Sequence, residues 1–279
     1  MTTTEVLVIT EPGIYPDMTD ATYHADPVPA GSLSSSGARK LLTTCPARYD
    51  YDRRHPPAPS KAFDVGHAAH QMILGTGPHL EVVPGDRWDT KAAKATVAEI
   101  REAGGVPLKQ AEHDAVQAMA DAVHAHPLAN ALLSDGQPEQ SLFWPDDRTG
   151  IWRRARPDFL RGDAIVDLKT CESADEEHIR KAIGRYGYHA QGDFYREAVR
   201  ALLGQDLPFL FVFVEKSPPH LIHVVQLDAD ALAAGRWVND QALDVFAECT
   251  RTGDWPGYPA DITTISLPPW ATRTEEFTR

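Results

Sequence analysis

The sequence predicts an α/β fold, a mixed central β-sheet flanked by helices. Two observations predict it. Apolar residues recur at helical spacing through much of the first half, then residues 140–169 change to short alternating runs separated by turns. Two helices, two strands and a long helix follow. That order layers helices on a sheet.

The elements follow in order. Residues 1–31 carry Pro12, Pro16, Pro27 and Pro29 with Gly13 and Gly31, and read as an extended arm. Ser34 can cap a short helix through Thr43, stopped by Pro46. Pro56, Pro57 and Pro59 predict a stiff loop. Phe63–Leu74 is apolar at helical spacing and ends at Gly75. Further helices are expected near Thr90–Ala103 and Gln110–His126, with Pro107 between them. Gln140–Trp144 reads as a strand, Asp146–Gly150 as a turn and Ile151–Leu160 as the hairpin partner. Arg161-Gly162-Asp163 makes a second turn into the strand Ala164–Lys169, completing a three-stranded meander. Helices over Asp175–Ile183 and Tyr188–Leu203 lead to the strands Phe209–Glu215 and Leu221–Leu227, around Pro218-Pro219. Asp228–Cys249 is a long helix. The expected organisation is an arm with a short helix over 1–60, a core over 61–250 and a tail over 251–279.

Composition narrows the function. No apolar run is long enough to cross a bilayer, and the start Met1-Thr2-Thr3-Thr4-Glu5 lacks the basic residues of a secretion signal, so a cytoplasmic protein is expected. Cys45, Cys171 and Cys249 are too few and too scattered for a disulfide framework, a four-cysteine zinc site or an iron–sulfur site. A formal charge of −13 argues against a protein that coats nucleic acid non-specifically, yet allows a local basic groove. The basic residues are in fact uneven. Arg39, Lys40, Arg48, Arg53, Arg54 and Lys61 form one segment, and Arg148, Arg153, Arg154, Arg156 and Arg161 another.

The strongest chemical signal is Pro157-Asp158 followed by Asp167-Leu168-Lys169. Alternation along a strand puts Ile165, Asp167 and Lys169 on one face, with Val166 and Leu168 on the other. Asp158, one tight turn upstream, can lie beside Asp167. Two adjacent carboxylates repel each other, and a hard cation such as Mg²⁺ relieves the repulsion. The Leu168 carbonyl can add an oxygen, and Lys169 can orient or help deprotonate an attacking water. Such a set suits metal-assisted phosphodiester hydrolysis. The bare triplet is common: Asp89-Thr90-Lys91 also has the spacing, but starts a helix with no strand before it. Arg154 and Arg156 alternate with Asp158 and are expected to share its face and meet DNA phosphates, unless Pro157 bulges the strand.

These motifs resemble the PD-(D/E)xK nuclease superfamily. Gly66-His67-Ala68-Ala69-His70 resembles the G-x-x-x-H element of its RecB-like and RecE-like exonucleases, and Gln191-Gly192-Asp193-Phe194-Tyr195 their Q-x-x-x-Y element. Ser34 through Leu41, Cys45-Pro46 and Tyr49 are similar to the N-terminal helix of RecE-type (exodeoxyribonuclease VIII type) phage and prophage exonucleases. Glu139, with Ser141 and Trp144, resembles the strand before their Arg-Pro-Asp. The likeness runs from about Tyr15 to Leu203. Gly66 and His70 are one helical turn apart and share a face, where a glycine would let the helix approach the sheet closely. His67 points about 60° away from His70. Gln191 and Tyr195 share a face in the same way.

The resemblance implies a metal-dependent exodeoxyribonuclease that digests one strand of linear duplex DNA, 5′ to 3′, leaving single-stranded overhangs for recombination. It implies Mg²⁺, with Mn²⁺ as a substitute. The implied metal set is His70, Asp158, Asp167 and Leu168. The implied catalytic set is Lys169, Asp167, Asp158, Gln191 and Tyr195, with Glu139 as a further acidic residue. The implied partners are duplex DNA with a free end and a RecT-like single-strand annealing protein. A homo-oligomer is implied, with a ring as one form, as is the cytoplasm of a bacterial host cell. The alternatives are an inactive DNA-binding or assembly module of the same fold, and another RecB-like nuclease.

Overall fold

The computed structural model describes residues 7–55, 61–85 and 87–268, so the proline loop expected at 56–59 lies outside the described residues. The elements are β1 (Gly13–Tyr15), α1 (Asp20–His24), β2 (Ser32–Ser34), α2 (Ser35–Thr43), α3 (Pro46–Arg54), α4 (Lys61–Leu74), β3 (Leu80–Val82), α5 (Lys91–Glu102), β4 (Val106–Leu108), α6 (Gln110–Ala125) and α7 (Pro127–Leu132). Then come β5 (Gly136–Pro138), β6 (Ser141–Pro145), β7 (Trp152–Ala155), β8 (Phe159–Arg161), β9 (Ile165–Cys171), α8 (Glu176–Tyr186), α9 (Tyr188–Leu203), β10 (Phe209–Glu215), β11 (Ile222–Gln226) and α10 (Ala229–Thr252). The helix starts are chemical. Ser34, Thr90, Asp175 and Asp228 each accept a hydrogen bond from the backbone N–H three residues on, satisfying a donor that the first turn leaves open.

The central sheet is mixed and has the order β11-β10-β9-β8-β5. β9 and β10 run parallel, joined through α8 and α9, and the other pairs are antiparallel. Its two faces bury different helices. Ile165, Phe209, Phe211 and Phe213 pack with α2, α9 and α10, through Leu41, Phe194 and Leu243. Val166, Leu168, Val212 and Val214 pack with α4 and α6, through Ala69, Val116 and Met119. Helices on both faces make the expected α/β architecture, and the alternation read from the sequence places Ile165 opposite Val166 and Leu168. No described helix is long and apolar enough to cross a membrane.

The expected meander is corrected. Residues 151–160 do not form one strand. β7 pairs with β6 in a second sheet of order β1-β6-β7-β2, whereas β8 pairs with β9 in the central sheet. The chain changes sheets at Arg156-Pro157-Asp158. Proline has no N–H for a ladder and fixes φ, so the pairing of β7 ends there. The first sixty residues supply both edges of the second sheet: β1 pairs with β6, and β2 runs parallel to β7. At the other end Trp255 stacks on Tyr49 with ring centroids 5.9 Å apart, and the Ala47 N–H donates to the Pro256 carbonyl.

Candidate active site

Two chain crossings between the sheets lie side by side, β5 to β6 at Glu139 and β7 to β8 at Asp158. The Glu139 N–H donates to the Asp158 carbonyl at 3.1 Å. Glu139 sits outside any strand at φ +50°, a sparsely populated conformation for a residue with a side chain. Where the sheets part, a cleft of about 320 Å³ opens, and Asp158, Glu139, His70 and Tyr195 line it.

Asp167 lies beneath the cleft, fully buried on β9. Its Oδ1 accepts from Gln191 Nε2 at 2.6 Å, and its Oδ2 meets the Lys169 ammonium. Asp158 Oδ2 accepts the Leu168 N–H at 2.7 Å, so one peptide of β9 fixes the second carboxylate beside the first. His70 reaches the same residue from α4, with Nε2 3.1 Å from the Leu168 carbonyl. A carbonyl only accepts, so Nε2 donates. Nδ1 is then left facing Asp158 Oδ2 at 3.7 Å. That is too long for a hydrogen bond.

The electrostatics reflect crowded carboxylates. Burial, then the charge of Asp158, pushes Asp167 up from 3.8 to about 6. The same two causes, in the same order, raise Glu139. Burial opposes the charge of Lys169, but Asp167 and Asp158 outweigh it, and its pKa is raised. Burial pushes Tyr195 well above the ordinary phenol value, so its hydroxyl stays a donor.

Among the described residues, no three His, Cys, Asp or Glu groups already converge closely enough to hold a metal ion. Two of the candidate groups are instead engaged with the backbone of Leu168, His70 with its carbonyl and Asp158 with its N–H. The chemistry of the donors nevertheless fits a hard divalent cation. Three carboxylates, two of them raised in pKa by burial and then by the charge of Asp158, supply oxygen ligands, and an imidazole nitrogen faces one of them.

The expectation of phosphate contacts meets internal pairing. Pro157 ends the strand, so Arg154 and Arg156 do not continue onto the strand after Asp158. Arg154 donates to the Ser32 carbonyl and hydroxyl and pairs with Asp26 at 2.7 Å. Arg156 bonds Ser141, Asp20 and the Met18 carbonyl, and its guanidinium carbon lies 4.3 Å from the Tyr23 ring centre. Both line the cleft, but their donors fasten the N-terminal segment to the sheet. Gly66 also differs from expectation. Among the described residues a methyl group there would meet nothing within 4 Å, so nothing in them requires a glycine for close packing.

Sequence reasoning does not single out Arg39, although it marks the basic segment around it. Lys40 and Arg48 pair with Asp52, and Arg53 and Arg54 with Asp50. Arg39 has no carboxylate partner among the described residues. It donates to Ser35 Oγ at 3.0 Å and lines the cleft beside Ser34, Ser35 and Ser36 at the start of α2. Burial lowers its pKa. Gly187, at φ +66°, makes room for it, since a Cβ there would lie 2.5 Å from Arg39 Cδ. Finding this from sequence would require knowing which acids its neighbours take.

A mixed sheet with Asp167 and Lys169 on β9, and Asp158 beside them at the entry to β8 below a cleft, defines a core of the PD-(D/E)xK class. Residues 34–267 match the family described as "PDDEXK-like domain of unknown function (DUF3799)", and the chain belongs to that family. The superfamily resemblance read from the motifs is thereby borne out. No curated protein matches the sequence. Among solved structures, the chain is similar to a proposed exonuclease from Eubacterium rectale, with 19% identity, 80% of this chain and 82% of that one covered, and a TM-score of 0.59. It is more distantly similar to a phage-related exonuclease from Haemophilus somnus 129PT, at 10% identity over 80% and 96% of the chains with a TM-score of 0.36. An alkaline exonuclease from Laribacter hongkongensis aligns at 12% identity over 70% and 97%, with a TM-score of 0.27. At these identities the first likeness shows the fold.

Proposed function

We propose that the chain is a divalent-metal-dependent exodeoxyribonuclease, digesting one strand of linear duplex DNA from 5′ to 3′ for recombination. The observation that carries this reading is the convergence of Asp158, Asp167, Lys169 and His70 around one short stretch of β9, at the bottom of a cleft. Asp158, Asp167 and the Nδ1 of His70 are the groups that would hold Mg²⁺ or Mn²⁺, with Glu139 beside them. When bound, the cation supplies a water of lowered pKa and neutralises charge on the phosphate. Gln191 fixes the Asp167 carboxylate. Lys169 hydrogen-bonds the attacking water and offsets developing negative charge. Tyr195 donates a proton-bearing hydroxyl to the cleft. Arg39, with the serine-lined start of α2, grips a backbone phosphate, a contact that carries no sequence information.

The likeness in fold to the Eubacterium rectale exonuclease supports end processing. So does the absence, among the described residues, of any separate sequence-reading module, because an enzyme that grips only phosphates needs a free end for selectivity. We further propose a cytoplasmic homo-oligomer, ring-shaped in one form, acting with a RecT-like annealing protein. The test compares linear duplex DNA with the same DNA as a closed circle in Mg²⁺. Linear DNA is consumed, the circle is spared, and chelator stops the reaction. Nicking of the circle would place the chain among endonucleases. Binding without cleavage in either metal would make it an inactive module.

A further inference from the structure

Lys169 has a flexible four-carbon stem, and the reaction proposed above needs its ammonium at one place. Asp167 holds it from one side. On the other, Nζ lies over the ring of Tyr188, 5.0 Å from its centre, and 5.9 Å from that of Phe211. A cation over an aromatic face is attracted by the ring quadrupole, most strongly where water is excluded. The Lys169 side chain is only 18% exposed. The Tyr188 ring is itself immobilised, 5.6 Å from Phe211, 6.4 Å from Phe213 and 5.6 Å from Tyr186. Its hydroxyl makes no hydrogen bond among the described residues, so the contact uses the ring alone. Tyr188 and Gln191 are three residues apart on the first turn of α9 and share a face. That one turn therefore presents a ring to Lys169 and an amide to Asp167.

We propose that Tyr188 is a positioning residue for Lys169, its ring face holding the ammonium against Asp167. The proposal rests on the nuclease reading for its kinetic consequence, but the contact itself can be read without activity. The experiment uses the full chain as wild type, Tyr188→Phe and Tyr188→Leu. Rates on linear duplex DNA in Mg²⁺ are measured alongside NMR spectra of the metal-free protein carrying ¹³C at the lysine ε-carbon. The Lys169 signal is assigned by its loss in Lys169→Met. Expected in the wild type and in Tyr188→Phe is an upfield ring-current shift of the Lys169 ε-protons. Tyr188→Leu loses most of that shift, Phe211 supplying the remainder, and lowers kcat about tenfold with KM little changed, while Tyr188→Phe retains most of the wild-type rate. If Tyr188→Leu melts early, Tyr188→Met takes its place. An unshifted Lys169 signal in the wild type overturns the proposal. So does full kcat in folded Tyr188→Leu, or a loss in Tyr188→Phe as large as in Tyr188→Leu. A wild type that cleaves no DNA defeats the nuclease reading instead, and the NMR arm still decides the contact.

Discussion

Replacing Gln191 with Met keeps the length of the side chain and removes the amide that donates to Asp167 Oδ1 at 2.6 Å. Both residues are buried. A hydrogen bond to a charged acceptor contributes about 1.5–3 kcal/mol, so a loss of roughly 2 kcal/mol is expected while Asp167 is ionised. The pH dependence follows from Asp167 itself. Its pKa stands at about 6 in the folded chain, against 3.8 ordinarily. The folded state thus holds this proton more tightly than the unfolded state. Ionising Asp167 costs stability as pH rises from about 4 to 6, a cost fully present above 6 and on the order of 3 kcal/mol. Losing the Gln191 donor raises that pKa by roughly one to two further pH units. At pH 8.5 the carboxylate is ionised and the variant shows the whole loss, a fall in Tm of about 4–8 °C. At pH 5 Asp167 carries a proton in both proteins, and the loss shrinks below about 1 kcal/mol. Thermal and urea melts in chelator at the two pH values test this. Equal losses at both, or none at either, would refute the reasoning.

Asp167→Ala and Lys169→Ala should each abolish cleavage of linear DNA in Mg²⁺ while leaving a folded chain by circular dichroism; strong cleavage in excess chelator would contradict the metal reading. His70→Ala should reduce metal-dependent activity severely and His67→Ala much less, although both side chains line the cleft; equal losses at unchanged Tm would count against His70. Arg39→Ala should raise KM for DNA about tenfold with little change in Tm. Arg156→Ala should instead lower Tm, because its donors tie Asp20, Met18 and Ser141 together. Gly66→Ala meets no described atom within 4 Å in its helix and should stabilise the chain by about 0.5–1 kcal/mol, read as a higher urea midpoint.

Local chemistry is legible in the sequence. The Ser34 side chain marks a helix cap, and β9 shows its two faces through alternation, so the strand period alone places Asp167 and Lys169 together. Helical spacing likewise brings His70 to the cleft and Gln191 to Asp167. The rest is decided by partners distant in the chain. β1 and β2 are three residues each, too short to show a period, and exist as strands because β6 and β7 pair with them. Pro157 signals a disturbance, but only the pairing of β7 with β6 and of β8 with β9 turns it into a change of sheet. Arg154 and Arg156 look available in the sequence because Asp26, Asp20 and Ser141 lie far from them along the chain. Arg39 looks ordinary because its isolation from carboxylates depends on which acids its neighbours have taken. Period and capping are set within a few residues of the chain, whereas charge pairing and sheet membership depend on which surfaces the folded chain brings together.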